Sequence, residues 1–198
     1  LTVGTFHSFC YRILRDFTEN QPAKLLEESE AIHLFLELFD SLGPFQSDEF
    51  AINPHKAITE SFIPFFNRIK EELIDPSKME IPEMNEEIGL TLEISNQLMD
   101  LKRIYPMFQE WKQRINVLDY GDMVIQAYKV LSNNPNILKD VQDHLRHIII
   151  DEFQDNNFAL NEIIALLAGK RNFITVVGDD DQVIYSFRGA SSFNIKSF

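Results

Sequence analysis

The spacing of apolar residues along the middle of the chain predicts helices. Between residues 21 and 115 these positions recur at intervals of three and four, which places them on one face of an amphipathic helix. They form three runs: Ala31, Ile32, Phe35, Leu36 and Phe39; Ile58, Phe62, Phe65, Phe66, Ile69 and Leu73; and Leu90, Ile94, Leu98, Leu101, Tyr105 and Phe108. Prolines lie between the runs at positions 44, 54, 76 and 82, and Pro64 predicts a kink or a boundary within the second run. Residues 21–115 are therefore expected to form an all-helical lobe.

The flanking segments instead combine short apolar strands with helices. In chain order they predict a strand at Leu1–Phe6, helices at His7–Phe17 and Tyr120–Leu131, a strand at His147–Ile150, a helix at Phe158–Leu167 and a strand at Phe173–Val177. Asp119 is a plausible N-cap of the second helix. Two apolar, β-branched strands joined by a helix indicate a β–α–β unit within a buried parallel sheet.

Together these patterns predict an α/β fold that is predominantly helical overall. A partial parallel-sheet domain is expected from residues 1–20 and 116–198, with the helical lobe of residues 21–115 inserted into it. The chain has 198 residues, of which 44% are hydrophobic, and this is enough for one such domain or for two small lobes.

Charge disfavours a general nucleic-acid binder. The chain carries 18 basic and 31 acidic residues, a formal net charge of −13, and contacts with phosphate need lysine and arginine. Most of the acidity lies in residues 21–115, which carry 9 basic and 18 acidic residues. Four cations of this lobe could still form a basic face on its longest helix, namely Lys102, Arg103, Lys112 and Arg114.

Composition also excludes several other classes. No apolar run approaches the ~20 residues of a membrane span, so no membrane partner is expected. No signal-peptide pattern opens the chain. Cys10 is the single cysteine, so an internal disulfide is impossible, and we expect a cytoplasmic protein.

Two adjacent carboxylates follow the first of the two later strands. Asp151 and Glu152 come directly after Ile150, and Gln154 and Asp155 stand close behind. Ligands of open α/β sheets bind beyond the carboxyl ends of the strands, where one carboxylate can hold hydrated Mg²⁺ and its neighbour can activate a water molecule. A polar loop with capping acids would contain the same residue types, so this motif alone does not decide between the two interpretations.

The second of these strands is also followed by polar and aromatic residues. Gly178 and three aspartates precede Gln182, and Tyr185, Phe187 and Arg188 come next. The amide of Gln182 can sense a terminal phosphate, and aromatic rings beside a guanidinium can stack on nucleic-acid bases at roughly 1–3 kcal/mol per base. Composition alone favours the simpler alternative, in which the aromatic residues belong to the core and the aspartates form a turn.

The first predicted helix begins with residues that suit a phosphate. Thr5 and Ser8 are good N-cap types, and the N–H groups at a helix start can bind an anion. His7 can donate to a phosphate, although a lone histidine is more often structural. Cys10 is expected to be a small buried hydrophobic residue.

Taken together, the three motifs resemble those of the UvrD/PcrA/Rep family of superfamily 1 DNA helicases. Thr5-Phe6-His7-Ser8-Phe9 resembles motif Ib, Asp151-Glu152-Phe153-Gln154-Asp155 resembles the Walker B motif, and residues 178–190 resemble motif III. Residues 118–123 are similar to the family's Asp-Phe-Asp-Asp-Leu element, from which Gly121 departs. Motif order and the long helical spacer match as well, so the resemblance spans the whole chain.

The resemblance implies part of a RecA-like motor domain, called 1A, in residues 1–20 and 116–198, with residues 21–115 as its inserted helical subdomain 1B. It implies an ATP-dependent helicase that moves 3′→5′ along single-stranded DNA and unwinds duplex DNA in repair or recombination. ATP and Mg²⁺ are the implied cofactors, and no particular repair-protein partner is implied.

The same resemblance implies roles in the nucleotide site. Asp151 would hold Mg²⁺, Glu152 would activate the hydrolytic water, and Gln182 would contact the γ-phosphate. Gln154 and Asp155 would couple the nucleotide site to the motor.

Another group of residues is implied to face DNA. Tyr185 and Phe187 would stack on single-stranded bases, and Arg188 would lie beside them and also belong to the nucleotide site. Thr5 and His7 would face the DNA backbone. Phe187 stands where tryptophan is common in the family, and it keeps a face for stacking.

The chain contains no P-loop, the motif whose lysine cradles the β- and γ-phosphates. Its only Gly-Lys pair, Gly169-Lys170, is followed by Arg171, and Ile164 stands where the first glycine belongs. The sequence also begins at Leu1 and not at methionine. We therefore expect an internal fragment that hydrolyses no ATP by itself.

Two alternatives remain open at this point. The chain could be the helicase part of a helicase–nuclease of the RecB/AddA kind, which only further sequence would distinguish. It could instead be a helical protein-interaction module with an inactive motor remnant. Intact Asp151, Glu152 and Gln182 favour the motor, because a remnant has no chemical need for them.

Overall fold

Helices dominate the structure, a computed structural model that describes residues 3–18, 24–81, 89, 91–169, 173–179 and 181. The elements in chain order are α1 (Phe6–Phe17), β1 (Lys24–Leu25), α2 (Glu28–Leu42), α3 (Asp48–Ile52), α4 (Pro54–Lys56), α5 (Ile63–Glu71), α6 (Leu92–Arg114), β2 (Val117–Leu118), α7 (Tyr120–Asn133), α8 (Pro135–His144), β3 (His147–Ile150), α9 (Phe158–Ala168) and β4 (Phe173–Val176). A π-helical turn at Ala57–Phe62 precedes α5, and 3₁₀ turns lie at Pro76–Lys78 and Phe153–Asp155. No helix in this described part of the chain has the length and apolar character that crossing a membrane requires.

Contacts divide the described residues into two compact units. Unit 1 consists of those within Leu1–Gln21, Lys70–Leu73 and Tyr120–Phe198. Unit 2 consists of those within Pro22–Ile69 and Ile74–Asp119. Each unit is discontinuous in sequence, since the chain passes from one to the other several times.

A parallel pair of strands forms the sheet of unit 1. β3 and β4 pair in register from His147 with Phe173 to Ile150 with Val176, and α9 connects them along the chain. The structure thus confirms the predicted β–α–β order. Parallel strands need such a crossover, because a tight hairpin turn would reverse the chain direction.

Only one face of this sheet is buried among the described residues. Alternate side chains form a cluster with residues of α1 and α9 and of the turn after β3, namely Ile148, Ile150, Ile174 and Val176 with Phe6, Phe153 and Ile164. On the other face Ile149 is 71% exposed and Phe173 is 72% exposed. The expectation of a buried sheet therefore holds for one face. Among the described residues, α1 and α9 contribute side chains to the cluster on that face.

α1 begins at Phe6, and the strand expected at Leu1–Phe6 is not formed by its described residues. Residues 3–5 have no regular structure, because Thr5 caps the helix: its Oγ1 accepts the N–H of Ser8 at 3.2 Å. The buried face of α1 packs against α7. Cys10 lies on this face with no exposed surface, as expected, and burial raises the pKa of its thiol to about 12.

Phenylalanine rings fill the core of unit 2, as the helical spacing of its apolar residues predicts. Phe35 of α2 stacks on Phe108 of α6 with ring centroids 3.7 Å apart. Phe62 meets Phe50 edge to face at 5.1 Å. Such aromatic pairs add about 0.5–1.5 kcal/mol each beyond the burial of their apolar area.

Pro64 lies at a helix boundary, as predicted. The N–H of Ile63 donates to the carbonyl of Ile58, five residues earlier, so the π-helical turn ends immediately before α5. Pro64 has no N–H to continue the preceding hydrogen-bond series and is accommodated in the first turn of α5.

The expectation of an all-helical lobe is wrong in one detail. β1 and β2 belong to unit 2 and pair in parallel, with Lys24 opposite Val117 and Leu25 opposite Leu118. The N–H of Leu26 extends the pairing with a 2.7 Å hydrogen bond to the carbonyl of Leu118. Strands of two residues are too short to show the alternation by which a strand is predicted.

The basic face proposed for the longest helix is not formed. Lys112 is buried with 1% of its surface exposed, and the other three side chains point to different acceptors. Each cation binds a group of unit 2. Two of them donate to backbone carbonyls: Lys102 Nζ to that of Met79 at 2.6 Å, and Arg103 Nη1 to that of Leu42 at 2.7 Å. The other two donate to carboxylates: Lys112 Nζ to that of Asp119 at 2.6 Å, and Arg114 Nη2 to that of Glu110 at 2.7 Å. The contacts of Lys102, Arg103 and Lys112 therefore stabilise the fold of the unit, whereas the exposed pair of Arg114 with Glu110 contributes little.

Candidate functional site

One extra residue follows β3 at the point where the two carboxylates lie. In a regular parallel ladder Val177 would donate to Ile150 and accept from the residue two positions further, Glu152. Val177 does donate to the Ile150 carbonyl at 2.8 Å, but its own carbonyl accepts the N–H of Phe153 at 2.9 Å. This bulge leaves Asp151 and Glu152 exposed beyond the carboxyl end of β3.

The backbone of Glu152 is held in the left-handed region. Its φ of 53° and ψ of 39° are uncommon for a residue other than glycine. Its N–H, displaced from the ladder, donates to Oδ1 of Asp151 at 3.0 Å. Strain of this kind persists where the surrounding structure enforces it, often at functional sites, and here the hydrogen bond from Phe153 to Val177 enforces it.

A buried amide connects Glu152 with the loop after β4. The side chain of Gln154 is 1% exposed, and its Nε2 donates to Oε2 of Glu152 at 2.6 Å. Its Oε1 accepts the backbone N–H of Asp179 at 3.1 Å. Glu152 and Gln154, both predicted site residues, thus lie together at the edge of the sheet where α/β proteins bind ligands.

Asp155 ends the 3₁₀ turn that follows. Its N–H donates to the carbonyl of Glu152 at 2.9 Å, which places it beside the bulge. Oδ1 of its carboxylate is buried and has no hydrogen-bond partner among the described residues. A buried carboxylate oxygen costs free energy unless a donor reaches it.

The loop after β4 is described only at its start. Asp179 accepts the N–H of Asp181 on its Oδ1 at 3.0 Å, and its own N–H binds Gln154. The role of Asp179 was missed in the sequence, because a backbone N–H leaves no signal in residue type. The four further predicted site residues of this loop, Gln182, Tyr185, Phe187 and Arg188, lie outside the described residues, and their roles stay predictions.

The carboxylates at the bulge fit a hydrated magnesium ion. Mg²⁺ prefers oxygen ligands, keeps several of its waters and is commonly held through one or two carboxylates together with substrate phosphates. Asp151 and Glu152 are adjacent and exposed, so water and a phosphate can reach them. Asp151, the residue that the sequence suggested for the metal, therefore suits it chemically.

The start of α1 belongs to the same sheet cluster. Phe6 packs with Ile150 and Phe153, so Thr5 and His7 on either side of it are anchored near the end of β3. The hydroxyl oxygen of Thr5 accepts the cap hydrogen bond, and the same hydroxyl can donate its hydrogen to another group. The ring of His7 meets Tyr120 edge to face at 5.1 Å, and partial burial lowers the pKa of the imidazole.

The lowered pKa of His7 predicts a pH dependence of stability. The unfolded chain takes up a proton near pH 6.5, whereas the folded chain does so only at lower pH, so stability is lost as the pH falls below about 6.5. Replacing His7 with phenylalanine should reduce the fall in melting temperature between pH 7.5 and pH 5. The same substitution at exposed His33 on α2 is the control, and an unchanged pH dependence in the His7 variant would contradict the prediction.

Comparison with known proteins reveals related chains. The model of the family described as UvrD/REP helicase N-terminal domain matches residues 1–198. The DNA helicase II of Haemophilus influenzae is 32% identical over 200 residues, covering 99% of this chain and 25% of the relative. The DNA helicase II of Rickettsia typhi is 34% identical over 200 residues, covering 100% of this chain and 29% of the relative. The ATP-dependent DNA helicase Rep of Escherichia coli is 28% identical over 199 residues, covering 98% of this chain and 27% of the relative. The chain thus spans about a quarter of the length of the curated relatives that it matches.

Proposed function

Because the chain belongs to the UvrD/REP helicase N-terminal domain family, we propose that it is an internal part of an ATP-dependent DNA helicase. The whole protein would move 3′→5′ along single-stranded DNA and unwind duplex DNA in repair or recombination, in the cytoplasm. The coverage of about a quarter of each relative supports a motor whose remaining parts lie elsewhere in the protein.

We propose that the two units belong to different parts of the motor. Unit 1 would belong to the RecA-like motor domain 1A, since it carries the parallel strands and the residues at their ends. Unit 2 would be the inserted helical subdomain 1B. Three cations of its longest helix, Lys102, Arg103 and Lys112, are engaged in internal contacts, which supports a minor role for unit 2 in binding duplex DNA.

The observation that carries the proposal is the arrangement at the bulge after β3. Two exposed carboxylates stand beyond the end of a parallel strand, and a buried amide links one of them to the neighbouring strand's loop. This arrangement suits phosphoryl transfer, in which catalysis is mainly positioning and charge stabilisation.

Each residue of the site has a proposed task. Asp151 would hold Mg²⁺, which when bound neutralises charge on the phosphates. Glu152 would take the proton of the attacking water, since an exposed carboxylate can act as a general base. Gln182 would contact the γ-phosphate, and Gln154 and Asp155 would connect the nucleotide site with the motor.

DNA would contact the same unit at two places. Thr5 and His7 would donate to the phosphate backbone from the start of α1, where neutral imidazole still offers one N–H. Tyr185 and Phe187 would stack on single-stranded bases with Arg188 beside them, and Arg188 would also belong to the nucleotide site. Stacking needs no broad basic surface, so it is compatible with an acidic chain.

The proposal predicts that the full-length protein hydrolyses ATP and that single-stranded DNA stimulates the rate. Steady-state turnover with and without an oligothymidylate measures this. The isolated chain of residues 1–198 should show no turnover, since it contains no P-loop. An inactive full-length protein would contradict the motor and favour a protein-interaction role, and turnover by the isolated chain would contradict its predicted inactivity.

A further inference from the structure

We propose that Gln154 is a positioning residue that holds the carboxylate of Glu152 in place for water activation. The inference rests on the proposed function and deepens it, because it assigns how the general base is oriented. The starting observation is that Glu152 stands on a strained bulge, with its side chain at the surface. An exposed glutamate loses little by changing rotamer, so a fixed geometry needs a partner that is itself fixed.

Gln154 meets that requirement because both ends of its amide are engaged. Nε2 donates to Oε2 of Glu152 at 2.6 Å, and Oε1 accepts from the N–H of Asp179 at 3.1 Å. The surrounding protein leaves only 1% of the residue exposed. The backbone before it is fixed by the hydrogen bond from Phe153 to Val177.

The two contacts have opposite polarity, and this selects a side-chain type. The end that faces Asp179 must accept a hydrogen bond, because a backbone N–H only donates. The end that faces Glu152 must donate, because an ionised carboxylate only accepts. An amide of glutamine length has both in every protonation state, whereas an ionised glutamate lacks the donor and methionine and leucine lack both.

The bulge explains why this link connects two strands. The extra residue places Glu152 out of the ladder and turns the next residues into a 3₁₀ turn, and Gln154 lies within that turn. Its side chain then reaches the loop after β4 at Asp179. A displacement of that loop would move the amide and with it the carboxylate, so the position of Glu152 depends on both strands.

The test uses the full-length protein and compares Gln154→Met and Gln154→Leu with the wild type. Each variant lacks the donor to Glu152, and a hydrogen bond to a charged group corresponds to roughly 10–100-fold in rate. We expect kcat of DNA-stimulated hydrolysis to fall by this factor, with KM for ATP and affinity for an oligothymidylate within about twofold of wild type. Neither introduced side chain can donate in any protonation state, so an active Gln154→Met variant would overturn the proposal.

A double-mutant cycle separates positioning from a merely structural role. If Gln154 acts through Glu152, Gln154→Met should cause no further loss in a Glu152→Gln background under single-turnover conditions. The proposal would be overturned if the losses of the two single variants multiplied in the double variant, or if Gln154→Met changed KM alone. Gln142→Met is the matched control, since this half-buried glutamine of unit 1 donates to the Leu166 carbonyl at 2.7 Å and should keep wild-type kcat.

The outcomes also distinguish this inference from the proposed function. An active wild type with active Gln154 variants refutes the positioning role and leaves the motor intact. A wild type without turnover refutes both. Equal melting temperatures of the wild type and the variants would show that a lowered kcat does not come from unfolding.

Discussion

Replacing Glu152 with glutamine in the full-length protein is expected to lower DNA-stimulated ATP hydrolysis by about 10²–10⁴-fold, the range typical of losing a general base. The amide has nearly the shape of the carboxylate and can still accept a hydrogen bond from Gln154. It cannot take a proton from the attacking water. Binding of ATP and of single-stranded DNA should persist, because neither requires that proton transfer.

Turnover measured at saturating ATP and DNA, beside the affinities for both, tests this expectation. Glu162→Gln is the matched control, since Glu162 lies on α9 of the same unit and has no place in the proposed site. It should retain the wild-type rate. A Glu152→Gln protein with more than half of the wild-type activity would remove Glu152 from the mechanism, whatever the motor proves to be.

The elements around this glutamate follow from residue patterns, whereas its conformation does not. Apolar β-branched runs predict β3 and β4, and helical spacing predicts α1 and α9, because burial of one face imposes a regular period on the sequence. The bulge at Glu152 depends on a single extra residue relative to β4. Nothing within β3 itself shows that offset, since it exists only in the pairing of two distant segments.

Long-range polar contacts were equally hidden. The sequence offered Gln154 as a site residue through resemblance to a motif, but the partner of its amide is a backbone N–H 25 positions away. The cations of α6 illustrate the reverse case. Their spacing allowed a basic surface, and only the fold shows that Lys112 is buried against Asp119 and that Arg103 binds the carbonyl of Leu42.

A buried ion pair in unit 1 gives the prediction with the largest expected effect on stability. Nζ of Lys70 lies 2.9 Å from Oδ1 of Asp122, and the two side chains are 2% and 5% exposed. Removing one partner leaves a charge in the interior and typically costs about 3–5 kcal/mol. We expect Asp122→Ala to lower the hydrogen-exchange protection of α7 amides by roughly two to four orders of magnitude.

Replacement of both partners should restore most of that loss, because an apolar pair of similar volume leaves neither charge of the pair in the interior. Lys70→Met combined with Asp122→Leu is therefore expected to protect α7 far better than Asp122→Ala alone. Asp16→Ala on α1 breaks the exposed pair with Arg15 in the same unit and should leave α7 protection nearly unchanged, since exposed ion pairs contribute little. Equal protection in Asp122→Ala and the wild type would mean that water or another group compensates Lys70, and the pair would then be dispensable to the fold.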